Sequence, residues 1–204
     1  MIGNGYRMNL DSEHVLFWMD AIRNSQDKER TLEAFWKGQI RSKIWLIENL
    51  RPFIKKSVKI DIHGGWIGTL ASLLFQSGIP IDRITSLDID PSCKEIALTM
   101  NKIEEIEGKF AAITANMIDV NTEAEVVINT SCEHISQTDY ETWLSNMPND
   151  AILVLQSNNY VISEHIRNAH SLDEFISQSH IQVLWAGINH LPLYDRYMII
   201  GKKN

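Results

Sequence analysis

The stretch KIDIHGGWIGTLA, residues 59–71, decides how this chain is read. A short β-rich run, VKIDI (58–62), enters a turn carrying Gly64, Gly65 and Gly68. The apolar run TLASLLFQS follows and stops at Gly78. Strand, glycine turn and helix in that order describe one half of a βαβ unit. Glycine permits positive φ and lets the backbone approach a ligand closely. The start of the next helix adds free N–H groups suited to a nucleotide or a carboxylate. Asp61, at the strand end, supplies an acceptor-only carboxylate, which suits an ammonium group better than a phosphate.

The pattern repeats outward from that turn. ITSLDI (84–89) reads as a second strand, and Asp90 with Pro91 as the cap and first position of a helix. FAAITA (110–115), EVVIN (125–129) and ILVLQS (152–157) read as the third to fifth strands, with a helix around residues 140–146 between the last two. SLDE (171–174) is a capping-box pattern, and IQVLWAG and YMIIG are the final strands. This alternation implies a mostly parallel sheet with helices on both faces. The last two strands lack room for a helix between them, so an antiparallel end strand is expected. Upstream, VLFWMDAIRN predicts a short helix. Residues 27–50 predict one longer helix, with Leu32, Phe35, Trp36, Ile40, Ile44, Ile47 and Leu50 at three- or four-residue spacing and Pro52 just beyond its end. The domain reading is a helical extension over 1–57 and an α/β domain over 58–204.

Two ligand readings compete at the turn. Gly65-x-x-Gly68, with Asp88 20 residues further on, is compatible with a dinucleotide fingerprint. The carboxylate of Asp61 before the turn would repel a pyrophosphate but has a use beside a cationic sulfonium ligand that carries an amino group. Here the chain resembles the class I S-adenosylmethionine-dependent methyltransferases over about residues 58–202. KIDIHGGWIG resembles the family's first motif, with His63 standing where a glycine is usual. SLDIDP resembles the second, ITANMIDV the third, EVVINTSCEHI the fourth strand and its loop, AILVLQSNN the fifth strand and YDRYMIIGKK the antiparallel last strand. The resemblance implies a Rossmann-like three-layer sandwich with a seven-stranded sheet. It also implies S-adenosyl-L-methionine as cofactor. Asp61, His63, Gly64, Gly65, Trp66 and Gly68 would hold its methionine part, Asp88 and Ile89 its ribose, Asn116 and Met117 its adenine, and Thr130 would lie alongside.

The densest polar segment is Asn129-Thr130-Ser131-Cys132-Glu133-His134, at the strand edge where open α/β sheets bind ligands. His134 and Asn129, with Tyr160 from the QSNNY run, are the acceptor-side candidates, His134 because imidazole titrates near neutrality. Glu133 could also serve as a base or acceptor-binding group, while Asn129, Ser131 and Glu133 also suit helix capping and loop hydrogen bonds. Cys132 beside His134 lacks a third triad member and reads as a buried small residue. Arg196 could bind a carboxylate or form an ion pair. Gln39, Ser42 and Lys43 of the helical extension could close over the methionine end of the cofactor. No His-x-x-x-His or Cys-x-x-Cys spacing marks a metal framework, so no metal ligand is assigned.

Composition narrows the partners. In 204 residues there are 26 acidic against 19 basic side chains, a formal charge of -7, which counts against nucleic acid as partner. No run approaches the roughly 18–20 apolar residues of a membrane span. The start MIGNGYRMNLDSEH lacks the layout of a signal peptide, and two cysteines form no secreted-type framework, so the expected location is the cytoplasm. With the α/β domain taking nearly everything after residue 57, little chain remains to recognise a large acceptor. The expectation is methyl transfer to a small molecule by in-line displacement, with a homo-oligomer compatible. The alternatives are chemistry at another sulfonium carbon that releases methylthioadenosine (a cyclase, lyase or aminocarboxypropyl transferase), a NAD(P)-dependent oxidoreductase, and a non-catalytic cofactor-binding protein.

Overall fold

The computed structural model describes residues 11–204; the reading made of the first ten residues lies outside that range. The chain forms a seven-stranded sheet with helices on both faces. Its strands are β1 (Val58–His63), β2 (Ile81–Asp88), β3 (Phe110–Thr114), β4 (Val126–Asn129), β5 (Ile152–Asn158), β6 (Ile181–His190) and β7 (Asp195–Lys203). The order across the sheet is β3-β2-β1-β4-β5-β7-β6. β1 runs parallel to β2 and β4, and β4 parallel to β5. β7 inserts antiparallel between β5 and β6, as the short connection between the last two strands requires.

Strand alternation divides the core. Ile60, Ile62, Ile128, Val154, Met198 and Ile200 point to one face, and the next residues along the strands, Val127, Leu153, Leu155, Tyr197 and Ile199, point to the other. The first face is covered by α4 (Thr69–Phe75), by α5 (Ser92–Met100) and by a helix of the N-terminal extension, α3 (Lys37–Leu50), whose Leu46, Ile47 and Leu50 are fully buried there. The second face is covered by α7 (Gln137–Ser145) and α8 (Leu172–Ser179), with Tyr140, Trp143 and Phe175 at its centre. Ser171 caps α8 by accepting from the Glu174 N–H, as the SLDE pattern predicts. Complete burial of side chains of this size stabilises by about 1.5–3 kcal/mol each.

The extension differs from its sequence reading. After α1 (Ser12–Asn24), residues 27–50 form two helices, α2 (Lys28–Glu33) and α3. Asp27 caps α2 through the Arg30 N–H at 2.9 Å. At Trp36 the backbone turns extended, with ψ 145°. Its indole folds over Gly38, where a Cβ would stand 2.3 Å from the ring. The break therefore uses an aromatic that periodicity assigns to a continuous apolar face. The helix after Pro91 divides likewise into α5 and α6 (Lys102–Ile106) at Asn101, whose buried amide donates to the carbonyls of Gly68 and Ala97. Asp90 caps that region by accepting the Ser92 N–H at 2.9 Å. Among the described residues, no helix is long and apolar enough to cross a membrane.

Candidate active site

A cavity of about 1470 Å³ opens beyond the carboxyl ends of β1 to β5. The strand ends form its floor, and α2, α3 and the segment between them form its roof, with Leu32, Trp36, Gln39 and Lys43 on the wall. Arg30 pins the roof to the end of β2 by an ion pair with Asp90 at 2.6 Å.

The glycine turn makes one side. Gly64, Trp66 and Gly68 have φ of 69°, 50° and 79°, so the chain coils left-handed through three of five residues. A Cβ at Gly65 would stand 2.0 Å from the Ser86 Oγ, so the turn sits flush on β2. Trp66 is the non-glycine of the three, and its N–H donates to the Asp88 Oδ2 at 2.7 Å. The Asp90 N–H donates to the Asp88 Oδ1 at 3.0 Å. Both carboxylate oxygens of Asp88 are thus fixed at the cavity wall, and each keeps a lone pair for a further donor. Ile89 and Met117 give apolar surface beside it, and Asn116 and Thr130 give polar edges. The Asn116 Oδ1 is held by the Ile118 N–H at 3.3 Å.

The opposite side is built from side chains brought together over long range. Glu133, 2% exposed, accepts through Oε1 from the Arg196 Nη1 at 2.7 Å and from the Asn158 amide. Its Oε2 is buried with no hydrogen-bond partner among the described residues. Arg196 also donates to the Thr130 carbonyl and, at 3.4 Å, to the Gln156 Oε1, which accepts from Ser42 of α3 as well. Lys43 stands on the same wall and donates to Gln39 at 2.9 Å. Burial, then the nearby Arg196, lowers its pKa to about 7, leaving the amine poised between charged and neutral forms. His134 lies edge-on to His165 with ring centroids 4.7 Å apart, and Tyr160 packs against Tyr194 at 5.6 Å.

Gly64, Gly65, Trp66, Asp88, Ile89, Asn116, Met117, Thr130, His134 and Tyr160 all line this cavity. Gly68 backs it by setting the turn, with the Asn101 amide and Ala97 behind it. Asp61, His63 and Asn129 do not line it. Asp61 is in register with Val127 on the far face of the sheet. It faces a small recess with Arg83 and Thr85, accepts from the Thr122 hydroxyl, and has its pKa raised by burial. His63, also an odd-numbered position of β1, is fully buried on that face. Its Nδ1 accepts from the Trp143 Nε1–H at 2.7 Å, and burial holds its pKa down at about 4. The physical reason is the two-residue period of a strand, which turns positions 61 and 63 away from the face of Ile62. Asn129, 0% exposed, accepts the Ser131 N–H at 2.9 Å and shapes the loop from behind. Cys132 is buried with its pKa pushed up to about 12, a protonated thiol and no nucleophile at neutral pH. Glu133, Asn158 and Tyr194, from the loops at this sheet edge, line the site as well, and Gln156 and His165 complete it, two residues of which the sequence pattern gives no sign.

No family model and no curated protein matches the sequence. Solved structures do match. The magnesium protoporphyrin IX methyltransferase ChlM from Synechocystis PCC 6803, solved with bound SAH, aligns over 95% of this chain and 95% of its own, with TM-score 0.66 and 13% identity. A mutant of MtNAS in complex with S-adenosylmethionine aligns over 94% of this chain and 72% of its own, with TM-score 0.63 and 12% identity. The pyocyanin biosynthetic protein PhzM aligns over 92% of this chain at TM-score 0.66 and 13% identity, and the alignment spans 62% of PhzM. The chain has the fold of the class I S-adenosylmethionine-dependent methyltransferases. At these identities the likeness is one of fold, and residue roles rest on the site itself.

Proposed function

We propose that this protein binds S-adenosylmethionine in the cleft and transfers its methyl group to a small polar acceptor. The observation that carries the reading is Asp88. It stands beside a left-handed glycine turn, both oxygens fixed by backbone N–H groups, each with a lone pair free for a ribose hydroxyl. Ile89 and Met117 would sandwich the adenine, with Asn116 at its edge. The turn would lie along the methionine part, and Lys43 and Gln39 would receive its carboxylate. S-adenosylmethionine supplies an activated methyl on its sulfonium. The chain supplies orientation, exclusion of water beneath the α2–α3 roof, and groups that hold the acceptor. His134, Tyr160 and Glu133 stand where an acceptor would enter.

A second reading keeps the cofactor and changes the bond broken. MtNAS, a nicotianamine synthase, has also been solved with MTA and tNA, and its fold matches this one at TM-score 0.63. The acceptor half, with the buried Glu133–Arg196 pair at its centre, favours a small polar acceptor over a polymer.

Calorimetric titration should show S-adenosylmethionine binding and no NAD binding; the reverse result overturns the cofactor. Mass analysis of turnover with small-acceptor pools should then show S-adenosylhomocysteine. Methylthioadenosine in its place would establish the second reading.

A further inference from the structure

We propose that Glu133, His134 and His165 form a binding site for a divalent transition-metal cation on the acceptor side of the cleft. One ligand atom from each of the three lies within 4.8 Å of the others. The hydrogen bonds decide which atoms are free. The His134 Nδ1 stands 3.2 Å from the Glu164 carbonyl oxygen, and the His165 Nδ1 stands 2.7 Å from that of Tyr160. A carbonyl only accepts, so each Nδ1 carries the hydrogen and each Nε2 presents its lone pair. The Glu133 Oε2 is buried with no hydrogen-bond partner among the described residues, while its Oε1 is held by Arg196 and Asn158.

This is the support a metal ligand set requires. Ligating imidazoles donate their other N–H to a carbonyl or carboxylate, and ligating carboxylates are themselves hydrogen-bonded. Two imidazoles and one carboxylate suit zinc, iron(II) or cobalt(II) better than calcium or magnesium. His134 is exposed and His165 half-buried, so the rings have room to close onto an ion at about 2.1 Å. Three protein ligands leave positions open toward the cavity that all three residues line. With the Arg196 guanidinium cancelling the Glu133 charge, the filled site carries the full positive charge of the ion. It would select an acceptor that brings an anionic oxygen, such as a carboxylate or an acidic hydroxyl. This last step rests on the proposed transferase reading; metal binding does not.

The test is a cobalt(II) titration of the metal-stripped full chain without cofactor, followed by zinc competition in the same cuvette. The expected result is visible d–d absorption saturating at one ion per chain and lost on adding zinc, without the near-ultraviolet band of a thiolate ligand. His134→Ala and His165→Ala should each weaken binding by at least about tenfold. His190→Ala, which removes an exposed histidine paired with Asp195, should leave it unchanged. Circular dichroism checks that each variant is folded. Absence of cobalt uptake, a thiolate band from Cys93 or Cys132, or undiminished binding in His165→Ala would each overturn the site. Failure of methyl transfer with cobalt binding intact would count against the transferase reading alone.

Discussion

The two halves of the cleft are made differently. The half at the ends of β1, β2 and β3 is made by backbone: left-handed residues at 64, 66 and 68, and a carboxylate held by two nearby N–H groups. The half at the ends of β4, β5 and β7 is made by side chains. Its central ion pair joins Glu133 to Arg196, 63 positions apart, and Ser42 reaches Gln156 across 114. A backbone site needs only local spacing to exist. A side-chain site needs the whole sheet in register first.

The largest expected effect breaks the second half. Arg196→Met removes the partner of a buried carboxylate and should cost about 3–5 kcal/mol in chemical unfolding. Adding Glu133→Gln should recover most of that; no recovery would mean that Arg196 acts through packing alone. Next, His63 behind the first half should make the fold acid-sensitive. Its pKa is about 4 in the folded chain against an ordinary 6.5, so unfolding takes up a proton below pH 6.5. Stability should therefore fall as pH drops from about 6.5 to about 4, by up to about 3 kcal/mol. His63→Gln should flatten that slope in denaturant titrations at stepped pH. Asp88→Asn tests the backbone half directly. Weakening charge-assisted bonds to a ribose diol should lower S-adenosylmethionine affinity about 10–100-fold by calorimetry, with a small fall in melting temperature because one of the two backbone N–H bonds at residue 88 is lost. The smallest effect joins the halves. If the cationic form of Lys43 holds the cofactor carboxylate, affinity should weaken as pH rises through about 7, by about tenfold, and Lys43→Met should abolish that dependence.

The same contrast explains what the sequence disclosed. The Gly64–Gly68 turn, Asp88, Asn116 and Met117 follow their strands at short offsets, so reading strands in order finds them. The first-motif resemblance points to Asp61 and His63, although strand alternation separates them from the face of Ile60 and Ile62. The Glu133 segment and Asn158 leave β4 and β5 at one sheet edge and can be read as neighbours, but nothing in the spacing announces that Arg196 joins them, because that depends on β7 inserting between β5 and β6. The division of residues 27–50 at Trp36 was hidden for a related reason. An apolar residue in phase with a helix also suits an indole folded over Gly38, and only tertiary packing chooses between them.

The strand order also sets a timetable. β1, which carries the glycine turn, lies between β2 and β4, and Ile60 is in register with Val126, 66 positions later. During synthesis the turn, Asp88 and the whole of α3 emerge long before the strand that flanks β1 on its other side. The face of α3 bearing Leu46, Ile47 and Leu50 must wait longer still, until Met198 and Ile200 of β7 arrive to complete its cover. Closing such distant pairs before any contact rewards them is slow. Part of the apolar face of α3 therefore stays uncovered until β7 is made, and the cofactor cleft is complete only once β7 has inserted.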